Sequence, residues 1–151
     1  NDTKIFYKDN DITSLIRNEE IAKVASQLSA LSETRESLID IQRNFMQGSN
    51  LIADGRDMGT VVFPEAELKI FLIASAEVRA KRRYLELQNR GQEVNMRDLI
   101  ADIEHRDMKD KTRTLSPLIP AEDSIIVDSS KMSLEEVLSF TKKLTKKEFD
   151  K

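Results

Sequence analysis

Leu68–Arg83, LKIFLIASAEVRAKRR, passes without a break from an apolar run into a helical pattern. Lys69–Ile73 is apolar after its first residue, the composition of a strand covered on both faces. Ser75 is placed to cap the following helix, which carries Val78 and Leu85 and is closed by Gly91. Ser124–Asp128 repeats the buried-strand composition, and a capping box follows it at Ser133 and Glu136. Strands that alternate with helices predict an α/β layer fold with a parallel sheet.

The same grammar extends outward. Asn95 caps a predicted helix with Met96, Leu99, Ile100 and Ile103 facing inward, fraying before Ser116-Pro117. The last helix presents Leu134, Val137, Leu138 and Thr141, and its charged end, Lys142–Lys151, is expected to fray. Upstream, Lys4–Tyr7 reads as a strand, Lys8–Asp11 as a turn, and Ile12-Thr13 as the start of the return strand. Asn18 caps a helix bearing Ile21, Val24 and Leu28; Ser32 caps a second, with Glu33 in its first turn and Leu38, Ile41 and Phe45 at the same spacing. Gly48 is its stop. Leu51-Ile52-Ala53 is a short apolar strand ending in Asp54-Gly55-Arg56-Asp57, and Val61-Val62-Phe63 is another apolar run, stopped by Pro64. There is no internal repeat and no low-complexity linker.

The chain has 151 residues, 39% hydrophobic and 34% charged, enough for one modest core in a single domain. The net charge of −3 lacks the positive field of a general nucleic-acid binder. No apolar stretch approaches the ~20 residues of a membrane span, and no secretory h-region follows Asn1-Asp2-Thr3-Lys4. A cytoplasmic protein is expected. Zero cysteines exclude thiolate chemistry, and the single histidine, His105, excludes multi-histidine metal sites. The four glycines, Gly48, Gly55, Gly59 and Gly91, form neither the phosphate-cradling G-x-x-x-x-G-K-[ST] loop nor G-x-G-x-x-G.

Three clusters carry chemistry, each beside a plainer alternative. Asp54-Gly55-Arg56-Asp57, at a strand's carboxyl end, suits a phosphorylated or Mg²⁺-bound ligand; it also suits a polar turn whose aspartates cap backbone N–H groups. Arg106, Asp110 and Arg113, at i, i+4, i+7, share a helix face that continues Met96, Leu99 and Ile103 and so point at a cleft rim; a salt-bridged surface helix has the same spacing. Arg79, Lys81, Arg82 and Arg83 are equally a polyphosphate clamp and an ordinary solvent face. His105 has no identifiable partner set, and Ser129-Ser130 reads as a loop before the Ser133 cap.

Taken together, the segments resemble bacterial cytidylate kinases. Leu51–Pro64, LIADGRDMGTVVFP, looks like that family's signature strand and turn, and Leu68–Arg83 like its next strand and the start of its lid helix. Glu104–Pro117, with its R-D-x-x-D-x-x-R core, is similar to the segment that closes over substrate. Ser124–Ser130 resembles the last core strand, and Ala25–Glu36, ASQLSALSETRE, the monophosphate-binding region. The ordered match runs along nearly the whole chain. It implies a P-loop NTPase-like parallel sheet with helices on both faces, a small monophosphate-binding region and a helical lid. The family's opening strand, with its Walker-type loop, has no counterpart in these residues. The resemblance therefore implies the C-terminal two-thirds of one kinase domain, poorly stable alone: 1–47 monophosphate-binding region, 48–78 core, 79–112 lid and following helix, 113–151 core and C-terminal helix.

The resemblance also implies roles. Residues matching Ser26, Arg35 and Asp57 read cytosine. Arg56 and Arg113 match arginines that hold the monophosphate's phosphate; Arg106 and Asp110 match residues near ribose and the transferring phosphoryl. Arg56, Arg106 and Arg113 are the implied catalytic set. Asp54 sits where the family has an acid near Mg²⁺, and Arg79–Arg83 where lid cations meet ATP phosphates. The implied reaction is ATP-dependent phosphorylation of CMP or dCMP by a monomer that binds neither nucleic acid nor membrane. The alternative is a non-catalytic CMP-binding module, should the chain begin at Asn1.

Overall fold

The computed structural model describes residues 4–16, 19–48 and 50–150. They form two compact units, Asn1–Leu51 and Ile52–Lys151.

The first unit holds a hairpin and two helices. Strands β1 (Phe6–Tyr7) and β2 (Asn10–Asp11) pair antiparallel with Tyr7 opposite Asn10. The return strand thus starts two residues before the predicted Ile12-Thr13. A two-residue loop suffices because Lys8 and Asp9 both take positive φ, 46° and 65°, as a hairpin turn whose twist matches the strands requires. Helix α1 spans Glu19–Leu28 and α2 spans Ser32–Asn44. The predicted Asn18 cap lies outside the described residues. Leu31, not Ser32, is the N-cap of α2, and no side chain caps it; the Ser32 hydroxyl donates to Glu33 instead. The helix ends at Asn44, before Gly48. Phe45, Met46 and Gln47 turn back on carbonyls three residues earlier, tightening the chain ahead of Gly48 at φ +76°. The predicted inward stripes, Ile21/Val24/Leu28 and Leu38/Ile41/Phe45, are exposed. Periodicity identifies a stripe, but a second layer must cover it, and the elements that pack extensively here are β3 with β4 and α3 with α4.

The second unit contains these pairs. Leu51–Ala53 forms no strand; a strand exists by pairing, and β3 (Ile70–Ile73) pairs with β4 (Ile125–Asp128) instead. Met58–Val62 is a π-helical turn, so the apolar pair Val61-Val62 lies in a helical turn. β3 and β4 are parallel, Ile70 opposite Ile125 through Ile73 opposite Asp128. Neither is covered on both faces: Leu72, Ile73, Ile125 and Ile126 are exposed and Val127 is buried. Among the described residues the sheet has two strands, which leave one β-face little to pack against.

Between the strands lie α3 (Ala76–Asn89) and α4 (Met96–Thr112). The Ser75 hydroxyl accepts from the Val78 N–H, and the Asn95 side chain from the Arg97 N–H at 2.8 Å, so both predicted caps form. Gly91, at φ +72°, ends α3. Ala80 and Leu87 are the buried residues of α3, while Leu85 is exposed. The inward stripe of α3 runs through Ala76, Arg79, Ala80, Arg83, Tyr84 and Leu87. Arg79 and Arg83, two cations of the run that a solvent face would also explain, thus lie on the packed side. On α4 the stripe runs through Met96, Leu99, Ile100 and Ile103, as predicted, then through Asp107 and Asp110.

Helix α5 (Leu134–Phe149) opens with the predicted capping box: Glu136 N–H donates to Ser133 Oγ and Ser133 N–H to Glu136 Oε2. Val137 and Thr141 are half-buried, but Leu134 and Leu138 are exposed. The helix also continues through the segment predicted to fray, as far as Phe149. Lys146 and Lys147 complement the dipole of its last turn, and the Thr145 hydroxyl bonds back to Thr141 O.

Candidate functional site

Asp110 is a buried carboxylate, 6% exposed, near the end of α4. Arg56 Nε donates to its Oδ2, Arg106 Nε lies 3.9 Å from the same oxygen, and Arg113 Nη1 lies 3.5 Å from Oδ1. One negative charge thus faces three positive ones. Arg56 and Arg106 both approach through Nε, so neither commits its Nη fork to this carboxylate. Their side chains are about two-fifths to one-half exposed, at 40% and 47%, while Arg113 is 14% exposed. The arrangement is a net-cationic cluster whose Arg56 and Arg106 side chains are partly exposed, a donor set that suits a phosphate.

Local structure aims each arginine. Helix α4 stops at Thr112, and Arg113 has extended backbone rather than continuing the helix. Its side chain still returns to Asp110, because Arg113 Nε donates to Ser116 O at 2.6 Å and Leu118 N–H to Asp110 O at 2.8 Å. Ser116 takes φ 48° to make this tight return. Arg56 is held by the π-turn behind it. The carbonyl of Asp57 accepts from both Val61 N–H and Val62 N–H, at 2.9 and 3.2 Å. Such turns store an extra residue per turn and recur at functional sites. Asp57 itself is buried, at 9%. The turn is fastened from below by Lys69, whose Nζ donates to Pro64 O and to both oxygens of Asp123. That ammonium holds the Asp123 carboxyl below its ordinary value. A Cβ on Gly59 would press against the Lys69 stem at 3.3 Å, so the small residue lets the two segments meet.

The carboxyl ends of β3 and β4 are joined by a second network. Ser129, 1% exposed, donates its N–H and its hydroxyl to Ile73 O. Arg82 donates to Ser129 O at 2.8 Å, and Ser130 Oγ accepts from Ser75 N–H. The Ser130 hydroxyl and N–H lower the Asp128 carboxyl below its ordinary value.

A family model described as Cytidylate kinase matches residues 1–147. The chain belongs to the cytidylate kinase family. It is 53% identical over 135 residues to the cytidylate kinase of Aeromonas hydrophila, a match covering 89% of this chain and 59% of that protein. It is 52% identical over 134 residues to that of Stutzerimonas stutzeri, covering 89% and 58%. With the cytidylate kinase of Pasteurella multocida the identity is 47% over 138 residues, covering 91% and 61%. The chain spans about three-fifths of the length of these curated relatives. Membership implies the P-loop NTPase-like α/β class, and the parallel β3–β4 pair flanked by helices is consistent with it.

In this cytidylate kinase family member, Arg56, Arg106, Asp110 and Arg113 come together and Asp57 is buried beside Arg56 in sequence. Ser26 and Arg35 are half-buried residues of α1 and α2 in the other unit. Asp54 is exposed at the head of the Asp54–Asp57 loop. Among the described residues no three carboxylates or histidines gather as a metal cage. His105 is exposed. No described helix is long and apolar enough to cross a membrane. Sequence reasoning missed three fastening contacts: Arg79–Asp107, Arg82–Ser129 and Lys69–Asp123. For the first the signal was present, since Asp107 extends the apolar spacing of α4 by one more turn.

Proposed function

We propose that this chain carries the monophosphate side of a kinase that transfers the γ-phosphoryl of ATP to CMP or dCMP. The observation that supports it most is the convergence of Arg56, Arg106 and Arg113 on buried Asp110. Phosphoryl transfer needs little covalent help; positioning and cationic donors around the moving group supply most of the catalysis. Arg56 and Arg113 would grip the phosphate of CMP. Arg106 would meet the transferring phosphoryl, and Asp110 would accept from ribose hydroxyls while keeping the three guanidiniums apart. Asp57 would accept from the cytosine amine; the family resemblance assigns base reading to Ser26 and Arg35 as well. Uracil would turn an acceptor toward Asp57, leaving buried groups mismatched.

Mg²⁺ binds typically through one or two carboxylates, water and substrate phosphates rather than in a protein cage. The single exposed carboxylate of Asp54 fits that role, and the ion would neutralise charge on the phosphates. The family resemblance further assigns residues 1–47 to the monophosphate-binding region, 48–78 and 113–151 to the core, and 79–112 to the lid and following helix. It assigns a cytoplasmic monomer.

The test is chromatographic detection of CDP from ATP and CMP by the native protein purified from its own cells, with Arg113→Met as the control. The expected result is CDP formation that falls at least about a hundredfold in the variant, since a cation that grips and positions the CMP phosphate is lost. Equal turnover by Arg113→Met, or UMP used as readily as CMP, would overturn the reading.

A further inference from the structure

Arg79 is engaged by every part of its guanidinium. Nη1 donates to Asp107 Oδ1 at 2.9 Å, Nη2 to Asp107 Oδ2, and Nε to Ala74 O at 3.0 Å. The bidentate fork is therefore spent on a carboxylate. It joins three pieces of backbone: the residue after β3, the first turn of α3 and the last third of α4. Asp107 lies one turn before Asp110 on the same inward stripe. Side-chain exposure is 35% for Arg79 and 25% for Asp107.

The rest of the α3–α4 contact is poorly suited to fixing the rotation of α4. Ala80 and Leu87 are buried on α3, but Met96, Leu99, Ile100 and Ile103 on α4 are only half-buried, so the apolar contact between the helices is incompletely enclosed. A slip of one residue turns a helix by about 100°, enough to carry Asp110 away from Arg56. A planar two-point ion pair adds a directional restraint on that rotation to the one apolar packing supplies.

We propose that the Arg79–Asp107 pair is the positioning element of the arginine cluster: it sets the register of α4, so that Asp110 meets Arg56, Arg106 and Arg113, and Arg79 acts through Asp107 rather than on a nucleotide. This rests on the phosphate-binding reading of the Asp110 cluster.

A double-mutant cycle decides it, with Arg79→Met, Asp107→Asn and the pair assayed for CDP formation. Each single variant is expected to raise KM for CMP about three- to tenfold, with KM for ATP unchanged, and the double variant to be no worse than either single one. Arg79→Lys should not rescue, because an ammonium lacks the fork. A rise in KM for ATP confined to Arg79→Met, or effects that simply add, would overturn the proposal. A second readout needs no turnover: the ¹⁵N signal of Arg56 Nε–H. Its hydrogen exchange is expected to quicken about tenfold in Asp107→Asn at unchanged helix content; unchanged exchange overturns the positioning role. Should the parent protein form no CDP, the kinase reading falls while the exchange measurement still decides this one.

Discussion

Arg56 Nε donates to Asp110 Oδ2 at 2.5 Å across 54 residues of sequence. That contact ties the loop at the head of the second unit to the end of α4, and it brings a partly exposed cation onto a buried anion. Replacing Asp110 by alanine leaves three guanidiniums facing one another with no counter-charge. Because Arg56 and Arg106 remain partly solvated, the expected loss is about 1–3 kcal/mol rather than that of a sealed pair. A urea midpoint that does not move in Asp110→Ala would mean the cluster contributes nothing to the fold.

Asp57 carries a different prediction. Its carbonyl is fixed by two N–H donors of the π-turn, so the backbone that carries its buried side chain has little freedom. Asp57→Asn swaps an acceptor for a donor at nearly constant volume. The ratio of kcat/KM for CMP over UMP should fall by about tenfold or more. A ratio equal to that of the parent protein would remove Asp57 from base selection.

The Lys69–Asp123 fastening predicts a pH response. Lys69 lowers the Asp123 carboxyl beneath the ordinary aspartate value of 3.8. A depressed native value means the contribution is fully present above 3.8 and is lost as pH falls through the lower native value. Carboxyl ¹³C shifts should therefore place the Asp123 midpoint below 3.8, and Lys69→Met should move it upward. A midpoint indifferent to Lys69→Met would show that the ammonium is not its cause.

Ser133 tests the start of α5. The reciprocal bonds of Ser133 and Glu136 satisfy two N–H groups that the helix itself cannot. Ser133→Ala should cost about 1 kcal/mol in thermal or urea unfolding, and Ser133→Asp much less. Equal losses in both would point to packing rather than capping.

Legibility followed the range of the interaction. The caps at Ser75, Asn95 and Ser133 and the stop at Gly91 were read correctly, because each is a contact between residues two to four apart. The inward face of α4 was read correctly for its apolar half. Errors arose where the partner was distant. Leu51–Ala53 has strand composition but no ladder, and the apolar stripes of α1 and α2 and the faces of β3 and β4 have the right period without a covering layer among the described residues. The end of α5 was lost to its charge, although lysines in a last turn favour the helix dipole.

The α/β alternation, the punctuation of the helices and, through ordered motifs, membership of the cytidylate kinase family are legible in the linear order of residues. Tertiary structure alone decided which charges meet. Arg79 and Arg82 sit three apart in one basic run, yet one takes Asp107 and the other the carbonyl of Ser129. Arg113 reaches Asp110 although the helix has already ended. An ion pair between separate elements depends on helix rotation and on chain return, and both are set by packing at distances that local spacing does not encode.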